Sequence, residues 1–335
     1  MSNHILGIEI GSSNTKIVEV SRRAALLVVH KFSMIETPVG SINNGTIVDS
    51  EVLKKVIASE LTRNKFKAKK VVCVIQSSSI LIRNVTMDKQ PDKIIKDILA
   101  VKLNEYLPVE QSQYQVDYKV VRSFEEEGKE KNELALVAAP NSIVMPLASL
   151  MKGLKLTPVL INISSEAVGN VFGGQRRLVY DSAENVVVLD VGGVSSSVTI
   201  VSGGQAVLSR YIDFGVEQIN HAIEDVQKRS SILDKERSDE EIFEMIRPQI
   251  EYNIISEVER ILQFYYSNFN NGLLKKVYLV GGGATIKGLR SYIRDALNIP
   301  TDKLTEFNTV SEAQGIEFAP YRRFFVNILG AINGL

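Results

Sequence analysis

The sequence predicts an α/β protein of two lobes built on duplicated mixed sheets, with a small subdomain inserted in the first lobe. Three observations carry this. The chain has 335 residues, too many for one comfortable core. Its opening stretch, GIEIGSSNTKIVEV over residues 7–20, has an echo in NVVVLDVGGVSSSVTIV over residues 185–201, about half the chain later. In both copies an acid (Glu9, Asp190) and an aliphatic residue precede a glycine (Gly11, Gly192), three small or polar residues, and a hydroxyl (Thr15, Ser196) that starts the next strand. Between the copies, residues 80–157 form a block with the order strand, helix, strand, strand, helix.

The elements follow in chain order. Apolar runs predict strands over 5–10, 15–20 and 24–32, then a helix over 50–63 with Val52, Val56, Ile57 and Leu61 near one face and Asp49 or Ser50 as its cap. VVCVIQ, residues 71–76, reads as a buried strand. In the inserted block a strand over 80–87 and a turn with Pro91 lead into a helix over 92–107. Its apolar stripe is Ile94, Ile95, Ile98, Leu99, Leu103 and Tyr106. Strands over 115–121 and 133–139 flank the solvated tip FEEEGKEKN, and a helix over 142–154 closes the block. The second copy gives a strand ending at Asp190, a strand to Val201, a Gly203-Gly204 turn and a strand to Ile212. A charged helical stretch covers 217–270, with Pro248 expected to start its second helix. KKVYLVGGGATIKGLRSYI then predicts a strand, a triple-glycine turn and a helix, and FFVNILGAING an apolar terminal helix. The expected division is a first lobe over 1–184, a second over 185–317 with a helical subdomain over 217–272, and a closing helix over 318–335.

Composition excludes several classes. Thirty-nine basic residues balance thirty-nine acidic ones, so no net positive field recruits nucleic acid. The single cysteine, Cys73, has no partner for an internal disulfide and fits a reducing cytosol; three scattered histidines make no zinc set. No secretion signal and no membrane-length apolar run is present. P-loop, GxSxG and kinase signatures are also missing, so a nucleotide would be held by other means.

The turns suggest those means. A Gly-Ser turn after a strand points backbone N–H groups into a concavity that suits phosphate oxygens, and two such turns make a clamp. Glu9 and Asp190 at the strand ends then need Mg²⁺, bound through water, to offset like charge, while Lys16 supplies a cation. One such turn alone is equally a plain hairpin connection. Gly281, Gly282 and Gly283 lack Cβ atoms and leave a flat strand end on which an adenosine would rest.

Two hairpin phosphate loops half a chain apart, followed by GGG, resemble the actin, Hsp70 and sugar-kinase superfamily, which has an actin-like (ribonuclease H-like) fold. Within it the whole chain is most similar to the PilM family of type IV pilus assembly and next to FtsA, whose inserted subdomain residues 80–157 resemble. The resemblance implies an ATP site with Gly11, Ser12, Ser13, Asn14 and Lys16 on the first loop and Gly192, Gly193, Val194 and Ser195 on the second. It implies Gly215 near the ribose, Glu257 and Arg260 near base and ribose, and Gly281–Gly283 with Ile286 by the adenosine. It places Glu166, in SSEAVGNVF, toward an attacking water. Glu257 and Arg260 also read as an i,i+3 surface pair, and Glu166 as a first-turn acid. Two positions depart from the pattern, Glu9 in place of Asp and Asn220 in place of Thr, and both bear on hydrolysis more than on binding. The chain ends without the amphipathic tail of FtsA.

The function implied is an ATP-binding cytoplasmic scaffold at the inner face of the membrane that grips the N-terminal tail of a PilN-like membrane protein, with PilO-, PilC- and PilB/PilT-like proteins as further partners. In it Mg-ATP is a conformational ligand and at most slowly hydrolysed. The alternatives are a filament-forming cytoskeletal ATPase, and so a homo-oligomer, or a small-molecule kinase of the same fold.

Overall fold

A computed structural model of the protein describes residues 4–174, 176–180, 185–232, 237–269 and 272–335. The expected lobe boundary after residue 184, and residues 233–236 and 270–271 of the expected helical stretch, lie outside the described residues.

The first half runs β1 (His4–Ile10), β2 (Asn14–Arg23), β3 (Leu26–Glu36), a small hairpin β4 (Ile42–Asn43) and β5 (Thr46–Ile47), α1 (Ser50–Arg63) and β6 (Lys70–Ile75). The inserted block follows as β7 (Leu81–Asp88), α2 (Asp92–Tyr106), β8 (Tyr114–Glu126), β9 (Lys129–Pro140) and α3 (Asn141–Gly153), then β10 (Thr157–Ile163) and α4 (Ser164–Phe172). The second half has β11 (Asn185–Val191), β12 (Ser196–Ser202), β13 (Gln205–Ile212), α5 (Val216–Ile232), α6 (Asp239–Ile250), α7 (Ser256–Asn268), β14 (Lys276–Gly281), α8 (Leu289–Leu297) and β15 (Thr301–Lys303). The chain then returns as β16 (Val310–Glu312) and α9 (Val326–Asn333).

The duplication is a duplication of topology. The sheets have the orders β10-β6-β1-β2-β3-β16 and β13-β12-β11-β14-β15. In each, an antiparallel three-strand meander is extended on the side of its first strand by two parallel strands, β6 and β10 or β14 and β15. The first sheet also gains β16, which crosses back to lie parallel with β3.

Helices α4 and α9 lie between the sheets, in one core that takes Val18 and Val72 from the first sheet and Val186, Val188 and Val280 from the second. Gly330 allows the approach: a methyl group there would overlap the Ala167 carbonyl of α4. The far face of the first sheet packs on α1 and α3, through Leu53, Ile57, Ile143, Leu147 and Leu150. The far face of the second packs on α5 to α8, with Ile219, Ile246, Val258, Leu262 and Leu289. Cys73, buried in the first of these outer cores, has its thiol pushed up to about 12 by burial and is inert.

The inserted block has its own sheet, β7-β9-β8, and its own core of Ile95, Leu99, Leu103, Leu134 and Leu136. The α2 stripe is narrower than its sequence suggests. Ile94 is 41% exposed, because the helix presents an i, i+4 seam to the three-stranded sheet. The β8–β9 hairpin is longer than expected, its strands running through the charged segment to a tight tip where Glu127 and Gly128 both take positive φ. Helix α3 bridges the two: its Ile143, Leu147 and Leu150 pack in the outer core of the first sheet, which also takes Ala139 of β9, and Asn141 at its start bonds Gln115 of β8. Pro248 starts no helix: it lies inside α6, whose start is a capping box of Ser238 and Glu241, and a π-helical turn (Glu251–Ile255) carries the chain on into α7.

Candidate functional site

The two echoing turns have the same internal geometry. Gly11 N–H donates to the Asn14 carbonyl at 3.1 Å, and Gly192 N–H donates to the Ser195 carbonyl at 3.1 Å. In each the glycine is required by the same close approach, since a methyl group would sit 2.9 Å or 2.7 Å from that carbonyl oxygen. The flanking strands pair Glu9 with Lys16 and Asp190 with Ser197, so Ser197 occupies the second-half position of Lys16.

These turns face each other across a cleft of about 720 Å³ that is lined by Glu9, Gly11 to Asn14, Lys16, Asp190, Gly192 to Ser195, Gly281 and Gly282. That volume suits a nucleotide-sized ligand. The turns touch: Val194 N–H donates to Ser12 Oγ at 3.2 Å, and Ser13 Oγ donates to Glu217 Oε1 of α5 at 2.6 Å. The backbone N–H groups of Ser12, Ser13 and Gly193 have no acceptor among the described residues and are free for an anion.

Behind the turns lies a small charged centre. Lys16 Nζ donates to Glu9 Oε2 at 3.1 Å, while Asn327 Nδ2 of α9 donates to Glu9 Oε1 at 3.0 Å and to Asp190 Oδ2 at 3.2 Å. One amide therefore joins a carboxylate from each sheet. Burial alone would push the Lys16 ammonium down, but Glu9 and Asp190 outweigh it and hold the group above its ordinary 10.5. Burial pushes the Asp190 carboxyl up from its ordinary 3.8, and Lys16 pulls against it. The two carboxylates share one donor, so when both are ionised they lie close enough to repel. One lysine leaves the ionised centre net negative, and a polyphosphate would add to the excess.

The donor set fits Mg²⁺ held through water. Its acceptors are carboxylate oxygens, and Asn327 Oδ1 is buried with no hydrogen-bond partner. An unmet buried acceptor costs roughly 1–3 kcal/mol, so a donor arriving with a ligand has a place here. Glu9, Asp190 and Asn327 would surround such a hydrate, which would supply the positive charge that a polyphosphate requires.

Several expected site residues lie elsewhere. Glu166, in the first turn of α4, accepts from Lys119 Nζ of β8 at 2.5 Å and does not line the cleft. Glu257 and Arg260 form an i,i+3 ion pair at 2.9 Å on α7, with Arg260 71% exposed, also outside the cleft lining. Such a pair contributes at most about 0.5 kcal/mol. Gly283 packs against the Val191 side chain, and Ile286 packs on the second core. Gly215 is set by packing: a methyl group would lie 2.5 Å from the Gly193 carbonyl, where α5 begins, and Val216 and Glu217 N–H groups donate to the Gly192 and Gly193 carbonyls. The paired hydroxyls are structural too, Thr15 bonding Thr37 Oγ1 and Ser196 donating to the Phe214 carbonyl.

Sequence reasoning missed Asn327, Glu217, Tyr211 and Gln76; the last three line the cleft. A signal for Asn327 was present, since one amide in the middle of the buried run FFVNILGAI needs a partner. Glu217, Tyr211 and Gln76 carry no local signature and reach the cleft through strand and helix placement.

Comparison with known structures agrees with this architecture. A structure titled PilM-PilN type IV pilus biogenesis complex superposes with a TM-score of 0.81 at 21% identity, covering 98% of this chain and 98% of that one. Ethanolamine utilization protein EutJ from Carboxydothermus hydrogenoformans superposes with a TM-score of 0.57 at 13% identity, covering 98% of this chain and 88% of that one. The fold is actin-like. Among the described residues, no helix is long and apolar enough to cross a membrane. The family described as type IV pilus assembly protein PilM matches residues 7–331, nearly the whole length, and the chain belongs to that family.

Proposed function

We propose that this chain is an Mg-ATP-binding scaffold of the type IV pilus inner-membrane assembly platform, which captures the cytoplasmic N-terminal tail of a PilN-like membrane protein. It is cytoplasmic and held at the membrane through that partner, with PilO-, PilC- and PilB/PilT-like proteins as further neighbours. The observation that carries the reading is the convergence of two matching turns on one cleft, with free N–H groups on both and an acid from each sheet behind them. Ser12, Ser13 and Gly193 take phosphate oxygens, Lys16 offsets their charge, and Gly281 and Gly282 form the flat wall for the adenosine. Glu9 and Asp190, with Asn327 between them, face the metal hydrate.

Nucleotide acts here as a ligand of the closed arrangement. The halves meet through Ser12–Val194 and Ser13–Glu217, and a phosphate lodged between the turns would replace those two contacts with bonds to both. A ligand of this kind shifts the balance between open and closed forms by its difference in affinity for them and needs no turnover. The PilN-like tail is read as docking beside the inserted block; that a relative's structure is titled a PilM-PilN complex supports a PilN-like partner.

Calorimetric titration of synthetic N-terminal tails from PilN-like proteins, with and without Mg-ATP, tests this. Saturating Mg-ATP is expected to tighten tail binding about tenfold, a coupling of about 1.4 kcal/mol. Equal affinity in both conditions would remove nucleotide from the scaffold's mechanism, and ATP turnover stimulated by a small acceptor would favour a kinase.

A further inference from the structure

Asn327 is the second residue of α9, where its neighbours Val326, Ile328, Leu329 and Gly330 are all buried. It is itself 3% exposed, yet its amide reaches the charged centre, with Nδ2 on both Glu9 Oε1 and Asp190 Oδ2. This orientation is fixed by charge, because the reverse would set the amide oxygen against two carboxylates. Lys16 occupies the other oxygen of Glu9, and Oδ1 of Asn327 is left with no partner. A buried amide in the core of a helix normally satisfies both of its ends. Here one end is committed to the two acids and the other is an acceptor beside them.

We propose that Asn327 is a positioning residue for the divalent-cation hydrate of the bound nucleotide, with Nδ2 orienting the carboxylates of the two halves and Oδ1 accepting from a cation-bound water. The inference rests on the cleft being an Mg-nucleotide site. It makes α9, the last helix of the chain, part of that site, although α9 supplies none of the phosphate-binding turns. A purely structural amide would serve the apo protein alone. A positioning amide gives the protein part of its preference for Mg-ATP over metal-free ATP.

The test compares wild type, Asn327→Leu and Asn327→Asp by calorimetric titration with ATP in excess EDTA and in Mg²⁺, alongside melting midpoints in the same buffers. Wild type is expected to bind ATP more tightly in Mg²⁺. For Asn327→Leu, the ratio of ATP affinity in Mg²⁺ to that in EDTA should fall at least about tenfold below the wild-type ratio. Asn327→Asp keeps an acceptor oxygen but replaces the donor with a third negative charge, so it should melt lower in EDTA and be raised by Mg²⁺ more than wild type is. This second variant carries the test where the leucine variant does not fold. A full Mg²⁺ gain in Asn327→Leu, or an aspartate variant raised by Mg²⁺ no more than wild type, overturns the role of Asn327 alone. Failure of wild type to bind Mg-ATP removes the site reading and this inference together.

Discussion

Lys16→Met is expected to lower stability by about 3 kcal/mol near neutral pH and to abolish Mg-ATP binding. The size follows from what stays behind. Methionine fills most of the volume, so little cavity forms, but Glu9 and Asp190 remain buried with Asn327 as their shared donor and no cation. The pH dependence separates this cause from lost packing. Lys16 titrates above 10.5, so in wild type its contribution is present below that value and is lost as pH rises through the raised folded pKa. Asp190 is raised by burial, so its protonated form is favoured by the fold more than by the unfolded chain. Removing Lys16 removes an attraction that holds Asp190 down and carries it further up. The deficit of the variant should therefore be largest at about pH 8 and shrink as pH falls toward about 5, as measured by urea unfolding across the series. A deficit that does not change with pH would mean that the loss is steric.

Gly281→Ala is the second large effect. Gly281 ends β14 at φ 73° and ψ −163°, a region open to glycine and closed to residues with a Cβ. A methyl group there would also lie 2.8 Å from the Val191 carbonyl and closer still to Asp190 Oδ1. The strain contributes about 1–3 kcal/mol, and relieving the overlap displaces Asp190, the acid proposed to face the metal hydrate. The expected outcome is a loss of about 3 kcal/mol or more in urea unfolding, with no detectable Mg-ATP binding in the folded fraction. Gly283→Ala separates the structural effect from the site effect, because Gly283 packs on Val191 outside the cleft lining. It should destabilise the fold while folded protein still binds nucleotide.

Much of this was readable in the sequence, and the reason lies in local chemistry. The spacing from Glu9 to Lys16 and from Asp190 to Ser197 encodes a hairpin whose glycine N–H reaches back across the turn, and the same bond forms in both halves. Helix α1 was equally legible, with Asp49 accepting from Val52 N–H as its cap. What local sequence does not convey depends on long-range placement or on transfer by resemblance. Glu257 and Arg260 already had a sufficient explanation in their i,i+3 spacing, and the exposed pair on α7 is that explanation. Glu166 is drawn to Lys119, a residue of the inserted block distant in sequence that no local pattern connects with it. The return of the chain through β16 and α9, which brings Asn327 between the two acids, depends on packing against both sheets at once. No window of sequence contains that information. The lone amide in an apolar helix was its one trace.

The central claim is that the cleft between the two turns holds Mg-ATP. It is tested most directly by calorimetric titration of the wild-type protein with Mg-ATP, with Lys16→Met and Gly282→Val measured alongside. The account predicts saturable binding near one nucleotide per chain, weaker in EDTA, and lost in both variants while circular dichroism shows them folded. Absence of binding to wild type, or undiminished binding to folded Lys16→Met and Gly282→Val, would contradict it.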